Sequence, residues 1–340
     1  MFAFKIGVHG EARWLFGELA SQRSTTLGPE HPETLNARRY EAIAVRGSGD
    51  PEWAYRQLER ILDVRRRRLG AHHPDTLSAM HDLAETLLLT SGPDASAKSL
   101  RRVVAARRRA LGAEHPDTVA SLGLLVEVLL KGDDLAAALK VNRSLVDVCR
   151  QAMGPDHPTT LQWHTKLAYV LTERGDLTEA RRVSEDLLER CERALPADAP
   201  ARLAAITNYA VLLTRVGEPT QARDLNRNAL EIRRSTLGDD HPDTLISMNN
   251  LGQALRLTGE LTEAKQLGEK VIAACERVFG PDDHRTLAAR YNLARTLHDL
   301  GDLTAAHDLH SEVLRERRRL LGAHHPATRD SERELARVQH

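Results

Sequence analysis

A 42-residue internal repeat constrains the fold of this chain more than any other feature of its sequence. The phrase Leu-Gly-x-x-His-Pro-x-Thr-Leu begins at Leu27, and its first position, hereafter the landmark, recurs up to Leu321 without insertion or deletion. The eight landmarks are Leu27, Leu69, Leu111, Met153, Leu195, Leu237, Phe279 and Leu321. Later copies lose some residues of the phrase but keep its spacing. A fixed period of this length is typical of stacked repeats and not of one central core.

Each repeat is predicted to hold two helices, A and then B. The glycine after the landmark suits a helix C-cap, and the proline four residues later suits the first turn of the next helix. In the sixth repeat, apolar residues recur at helical spacing from Leu245 to Leu255, and again from Ala264 to Ile272 after a break at Gly259. The histidine before the proline is expected at the helix N-cap. These histidines are His31, His73, His115, His157 and His241.

Positions within a repeat are counted here from the landmark. Small residues recur at position 15, as at Gly252, and at position 27, as at Ala264. Small side chains at both places let paired helices approach closely. The repeat pattern therefore predicts antiparallel helix pairs that stack on one another.

Both ends of the chain fall inside a repeat. Counting back from the first landmark puts Gly7 at a break, so residues 8–26 are predicted to form a helix B without its helix A. Its apolar residues, such as Leu15 and Phe16, would then be open on one side, and we expect self-association through this half repeat. We also expect the chain to be a fragment of, or truncated relative to, a longer parent. Residues 321–340 are predicted to be a polar helix A that caps the other end.

Several residues beyond the phrase give the repeat a family resemblance. The second helix carries a Glu-Ala step at Glu179-Ala180 and Glu263-Ala264, and the first carries Asn250-Leu251-Gly252 and Asn292-Leu293-Ala294. Together with the His-Pro-x-Thr-Leu phrase, these features resemble the tetratricopeptide repeat (TPR) of the 42-residue kinesin-light-chain type, which is also common in actinobacterial signalling proteins. The resemblance covers nearly the whole chain.

The pattern and the resemblance imply an all-α fold, a right-handed superhelical solenoid of stacked antiparallel helix pairs. We predict a single domain over residues 1–340 with seven full repeats and a half repeat at each end. The predicted full repeats are 27–68, 69–110, 111–152, 153–194, 195–236, 237–278 and 279–320.

Charge and hydropathy argue against two classes of partner. The chain has 48 Lys and Arg against 48 Asp and Glu, so it lacks the uniform basic field typical of nucleic-acid binders. The longest apolar stretch runs from Leu124 to Leu130 and contains Glu127, far short of a membrane span. Charged residues such as Lys5 interrupt any secretion signal. We expect a cytoplasmic protein that binds neither nucleic acid nor membrane.

No metal or cofactor site is predicted. The cap histidines, including His325, recur once per repeat and therefore lie ~10 Å or more apart, whereas zinc needs ligands about 2 Å away. The pairs His72-His73, His324-His325 and His307/His310 are the alternative, as surface metal sites. No phosphate-binding glycine loop or paired carboxylates suggest catalysis.

One position of helix B holds either arginine or cysteine. The three cysteines, Cys149, Cys191 and Cys275, all stand at position 38, too far apart to form a disulfide, and are predicted to be free. Other repeats have arginine there, within runs such as Arg65–Arg68. We attribute these runs to stabilisation of the helix C-terminus, with an electropositive ridge for an acidic partner as the alternative.

The resemblance implies that helix A lines a concave surface, where positions 12, 13 and 16 face away from helix B. An amide carries a donor and an acceptor and can pair with the main chain of an extended peptide. Similar asparagines in tetratricopeptide proteins hold the ligand backbone. The predicted peptide-binding residues, hereafter the groove residues, are Asn208, Asn249, Asn250, Gln253, Tyr291, Asn292 and Arg295. The alternative is that these amides bond within their own repeat.

We therefore expect a non-enzymatic scaffold for protein-protein interaction that binds a peptide of a partner on the helix-A surface, in a signalling or regulatory assembly. The alternative is a small-molecule receptor or an enzyme built in the groove.

Overall fold

The computed structural model describes the backbone of residues 2–338 and the side chains of residues 10–338. Over this range the chain forms sixteen helices and no strand. The helices are α1 (Phe2–Leu27), α2 (Pro32–Gly47), α3 (Pro51–Leu69), α4 (Pro74–Thr90), α5 (Gly92–Leu111), α6 (Pro116–Lys131), α7 (Leu135–Met153), α8 (Pro158–Arg174), α9 (Leu177–Ala194), α10 (Pro200–Arg215), α11 (Pro219–Leu237), α12 (Pro242–Leu257), α13 (Leu261–Phe279), α14 (His284–Asp299), α15 (Leu303–Leu321) and α16 (Pro326–Val338). The prediction of an all-α repeat fold is confirmed.

The helices group into two compact units, Met1–Asp176 with α1 to α8 and Leu177–His340 with α9 to α16. Within each unit, every helix packs on the next one along the chain. The A helices also contact each other directly: α2, α4 and α6 form such a row in the first unit, and α10, α12, α14 and α16 form another in the second. Side chains on neighbouring A helices therefore share one surface in each unit.

The repeated phrase ends helix B and begins the next helix A. Gly70 ends α3 with a positive φ of 88°, which glycine adopts without strain. At the start of α4, His73 Nδ1 accepts the backbone N–H of Asp75 at 3.2 Å. The same bond is made by His31, His115, His157, His241 and His325. The predicted histidine N-caps are confirmed, with Asp283 taking this role at α14.

The predicted small positions lie where the helices meet. Alanines at positions 15 and 27 are buried, among them Ala42 and Ala54 in the first repeat, which pack together with Leu58. Leu251 and Leu293, assigned to the interior of their repeats, are also buried. None of the described helices is long and apolar enough to cross a membrane.

The first helix begins earlier than the repeat spacing predicts. Gly7, expected to break the chain before a helix over residues 8–26, lies inside α1 (Phe2–Leu27). A single glycine in a helix interior costs about 1 kcal/mol, which does not by itself end a helix. Most breaks between other helices come with positive-φ glycines, as at Gly49 and Gly259.

Candidate peptide-binding surface

Three A helices of the second unit, α10, α12 and α14, carry all seven groove residues. Helix α12 lies between the other two and contacts both. Each groove residue is half-buried, because positions 12, 13 and 16 lie beside the seam between neighbouring A helices. The structure therefore brings the predicted residues onto one surface of the second unit.

Two of the groove asparagines bond to each other. The Nδ2 of Asn292 on α14 donates to the Oδ1 of Asn249 on α12 at 3.1 Å. The same two positions, 12 and 13 of successive repeats, are joined in the first unit by the ion pair of Arg39 with Asp82. A polar contact between positions 12 and 13 of neighbouring A helices thus recurs in this chain. In the second unit this contact uses part of the hydrogen-bonding capacity of Asn249 and Asn292.

Two other groove amides keep their full capacity. Asn250 and Gln253 stand one helical turn apart on α12, and neither side chain makes a hydrogen bond within residues 10–338. Their two amides offer two acceptor oxygens and two donor groups in the middle of the α10–α12–α14 row. They are the groove residues best placed to pair with an added main chain.

Tyr291 and Arg295 are held by the helices that follow α14. The Tyr291 ring lies edge-on to His310 of α15, with centroids 5.5 Å apart, and the guanidinium of Arg317 lies 4.8 Å from its centroid. Arg295 lies 3.9 Å from Glu334 of α16. These two residues form the C-terminal wall of the surface.

The pair His307/His310 is not a surface metal site, because His310 is fully buried. Both of its ring nitrogens lack a hydrogen-bond partner among the described residues. Burial lowers the pKa of His310 to about 4, so the ring is neutral at pH 7. The available sequence signal was the repeat position of His310, position 31, which is leucine in the first two repeats at Leu58 and Leu100.

On the corresponding surface of the first unit, ion pairs join the A helices. Positions 12, 13 and 16 of the second repeat are His81, Asp82 and Glu85, whose potential ligand atoms all lie within 4.8 Å of one another. Arg39 pairs with Asp82, and Arg46 with Glu85 at 2.8 Å. The two arginines neutralise the carboxylates that a metal ion would otherwise bind, so we interpret the cluster as an ion-pair network.

This network was not predicted from the sequence, because its members lie about one repeat apart. Opposite charges at positions 12 and 13 of successive repeats were the available signal. Lys166 and Glu127, 2.9 Å apart, make a further bridge between A helices of this unit. The two groove amides without a side-chain hydrogen bond, Asn250 and Gln253, belong to the second unit.

The arginine at position 38 is buried, which corrects the assignment of the whole arginine run to the helix C-terminus. Arg65 donates to the carbonyl oxygen of Asp75 at 2.8 Å and to Oδ1 of Asn36 at 2.6 Å. It thereby ties α3 to the A helices on either side. The other buried arginines of this kind are Arg107, Arg233 and Arg317. The later residues of each run, such as Arg66 to Arg68, are exposed in the last helical turn and fit the original interpretation.

The three cysteines at position 38 are free, as predicted, and they are also buried. Burial raises the pKa of the Cys191 and Cys275 thiols to about 11, so both are protonated at neutral pH. A protonated, buried thiol is a weak nucleophile and behaves as a small apolar side chain.

Stacked helix pairs with a polar row of A helices define a helical repeat scaffold. Family models of the tetratricopeptide repeat match residues 42–109, 202–277 and 255–315 in one case and 160–201 in another. The chain belongs to the tetratricopeptide repeat family.

Solved structures of this fold resemble the chain at low sequence identity. A putative kinesin light chain with nearly identical TPR-like repeats from Podosopora anserina is 21% identical, with 73% of this chain and 97% of that chain covered and a TM-score of 0.37. A Rap protein complexed with Competence and Sporulation Factor is 12% identical, with 99% and 97% covered and a TM-score of 0.59. A tetratricopeptide repeat protein from Parabacteroides merdae is 11% identical, with 90% and 99% covered and a TM-score of 0.62.

The similarity of the chain to the last two structures shows that it has the tetratricopeptide solenoid fold. None of the curated proteins compared with the chain matches it.

Proposed function

We propose that this chain is a binding scaffold that holds an extended peptide of a partner protein against α10, α12 and α14. Tetratricopeptide scaffolds generally mediate protein-protein interactions and are typically not enzymes. The observation that carries the proposal is the pair Asn250 and Gln253, whose half-buried amides have no partner within the described residues. An extended peptide leaves main-chain N–H and C=O groups unpaired, and these two amides supply complementary donors and acceptors.

The charge pattern supports a largely neutral contact. At positions 12, 13 and 16 the first unit has carboxylates paired with arginine or lysine, whereas α12 presents three amides, and the groove residue Arg295 is paired with Glu334. Amides recognise the peptide backbone whatever its side chains, and a neutral surface does not steer a strongly charged segment. The Rap protein of similar fold was solved in complex with Competence and Sporulation Factor, which supports a role for this chain in a signalling or regulatory assembly.

The test is selection of binding peptides from a random display library, followed by calorimetry of the selected peptides on variants. Replacing Asn250 and Gln253 together by Ala is expected to weaken binding at least tenfold, about 1.4 kcal/mol. The matched control is Asn228→Ala, since Asn228 is exposed on α11, a B helix. Selected peptides that bind the double variant as well as the parent would contradict the proposal. A metabolite that co-purifies with the chain, or turnover by it, would favour a receptor or enzyme instead.

We further propose that α1 mediates association with a second copy of the chain. Trp14 and Leu15 are 69% and 58% exposed on adjacent positions of this helix, although Phe16 stacks on Tyr40 of α2 at 5.3 Å. Large exposed apolar side chains of this kind mark interaction sites. Replacing Trp14 and Leu15 by Glu is expected to reduce the sedimentation-equilibrium mass at high concentration. A parent chain that stays monomeric throughout the concentration series would rule this out.

A further inference from the structure

A cavity of about 270 Å³ lies between α12, α13 and α14. Its walls are mainly apolar: Leu245 and Ile246 come from α12, Val271 and Cys275 from α13, and Ala288 from α14. The groove residue Asn249 also lines it. Ile246 is exposed one helical turn before Asn249 on α12, so the cavity opens beside the groove residues.

The cavity lies at the place that the guanidinium group of the position-38 arginine occupies in other repeats. In three of those repeats the arginine at position 38 donates to the carbonyl oxygen at position 6 of the next repeat, as Arg107 does to Asp117 at 2.6 Å. In two of them it also donates to the side chain at position 9 of its own repeat, as Arg65 does to Asn36. In the sixth repeat position 38 is Cys275, whose side chain is too short to reach either place.

The surroundings have changed together with the arginine. Each arginine at position 38 has a polar side chain at position 9 of its own repeat, at position 10 of the next repeat, or at both. These partners are Asn36 for Arg65, Ser78 and Ser121 for Arg107, Ser247 for Arg233 and Ser331 for Arg317. Cys275 has Ile246 and Ala289 at these two positions, so neither offers a guanidinium a hydrogen-bond acceptor, and the cavity is not suited to a cation.

The one charged residue on the wall is already neutralised. Arg285 bonds both carboxylate oxygens of Asp283, at 2.8 and 3.0 Å, and its guanidinium lies 3.4 Å from the Phe279 ring centroid. An anionic ligand would have to compete with Asp283 for this group. Charge complementarity therefore favours an uncharged occupant.

We propose that this cavity binds a large apolar side chain, of the size of leucine or phenylalanine, from the partner peptide held by the groove residues. The proposal rests on the proposed function and adds a side-chain preference to it. An apolar cavity of about 150 Å³ is known to hold a benzene ring, so 270 Å³ accommodates a phenyl group. The peptide backbone at Asn250 and Gln253 would place such a side chain within reach of the opening, because both residues share α12 with Ile246 and Asn249.

The test uses N-acetylated amino-acid amides as probes, because their binding to the cavity does not require an extended peptide backbone. N-acetyl-phenylalaninamide, N-acetyl-leucinamide and N-acetyl-argininamide are titrated into the full chain with ¹³C-labelled methyl groups, and the shifts of Leu245, Ile246 and Val271 are followed. The phenylalanine and leucine probes are expected to shift these methyl signals, with at least tenfold weaker effects from the arginine probe.

Two variants fill the cavity by different routes. Cys275→Arg with Ala289→Ser restores the arginine and serine of other repeats, and Ala288→Met fills the space from α14. Both are expected to abolish the probe-induced shifts while circular dichroism confirms helical folding. Cys149→Ser, at the same position of a repeat in the first unit, is the matched control and should leave the shifts unchanged.

The outcomes separate this proposal from the function on which it rests. The Asn250→Ala, Gln253→Ala variant should still bind the phenylalanine probe, because the probe needs only the cavity. No methyl shift with any probe, equal shifts with arginine, or undiminished shifts in both filled variants would overturn the cavity proposal. If the probes bind the cavity but selected peptides bind the Asn250→Ala, Gln253→Ala variant as well as the parent, the groove proposal fails and only the preference of the cavity for an apolar side chain stands.

Discussion

At the scale of single residues, buried arginines tie the A helices of neighbouring repeats together. Arg107 donates to the carbonyl oxygen of Asp117 at 2.6 Å and to Ser121 at 2.7 Å, and it lies 3.4 Å from Ser78 of the preceding A helix. Burial lowers the pKa of this guanidinium, since charging it in the interior costs free energy. Several hydrogen bonds offset that cost. Loss of the arginine leaves its acceptors unpaired in the interior.

Replacing Arg107 by Leu is therefore expected to lower the free energy of unfolding by about 1–3 kcal/mol, because buried acceptors lose their donor. Urea unfolding followed by circular dichroism measures the loss. Arg109→Leu is the matched control, since Arg109 is exposed in the same helix and should change stability by less than about 0.5 kcal/mol. Equal effects of the two substitutions would show that the buried bonds contribute nothing.

A second residue-scale prediction concerns His310 and pH. Its pKa is about 4 in the folded chain and near 6.5 when unfolded, so between these values the unfolded state binds more protons. The contribution of the neutral ring to stability is present above pH 6.5 and is lost as the pH falls towards 4. The groups around the ring are Arg295, His298, Arg317 and Glu334, with the Tyr291 ring edge-on.

His310→Leu removes this dependence and places the residue found at the same position in Leu58 and Leu100. The stability difference between variant and parent is expected to grow by about 2 kcal/mol from pH 7 to pH 5 in favour of the variant. Urea unfolding of both proteins at the two pH values measures it, and effects of other carboxylates cancel in the difference. A difference independent of pH would mean that His310 titrates normally in the folded chain.

The residue scale also shows what the sequence could and could not predict. The cysteines at position 38 were the signal that this position is buried, since free cysteine is among the most buried residue types. The adjacent arginines hid that signal, because a run of identical charged residues does not show which member faces inward. The Asn249–Asn292 bond depends on the reach of two side chains 43 residues apart, which spacing alone does not give.

At the scale of helices, the repeated phrase determines where each helix begins and ends. Its histidine, proline and glycine act locally, so the helix ends could be predicted from sequence. The start of α1 could not, because Gly7 is followed by Val8, whereas the matching glycines Gly49 and Gly301 are followed by the capping residues Asp50 and Asp302. The fifth repeat offers a test of this local control, since α10 begins after Ala199, which has no side-chain cap.

Ala199→Asp is expected to raise the free energy of unfolding by about 0.5–2 kcal/mol, because a carboxylate there accepts the backbone N–H of Ala201. Asp283 makes this bond at the start of α14, and the backbone angles at Ala199 are close to those at Asp283. Thermal unfolding compares the variant with the parent. Ala199→Leu, which cannot accept a hydrogen bond, is the control, and an equal gain in both variants would argue against capping.

At the scale of the whole molecule, stability in a repeat protein is a sum of local terms. Within each unit, every helix packs on its neighbours in sequence, and each repeat contributes its own small core. In the sixth repeat Leu251 lies in such a core, packed with residues of α11, α12 and α13. The period predicted this interior position from sequence. The division into two compact units was not predicted, because the 42-residue period continues across residue 176 without a change.

Leu251→Ala is expected to cost about 2–5 kcal/mol, because the smaller side chain leaves a cavity in this core. Leu257→Ala on the same helix is the matched control, since Leu257 is 41% exposed, and it should cost far less. Hydrogen exchange followed by mass spectrometry is expected to show faster exchange in α11, α12 and α13 of the Leu251 variant, with α2 and α3 of the first unit unchanged. The reason is that nearest-neighbour contacts confine the disturbance to adjacent repeats. A uniform rise in exchange over both units would instead show one cooperative structure, in which the sixth repeat stabilises every helix of the chain.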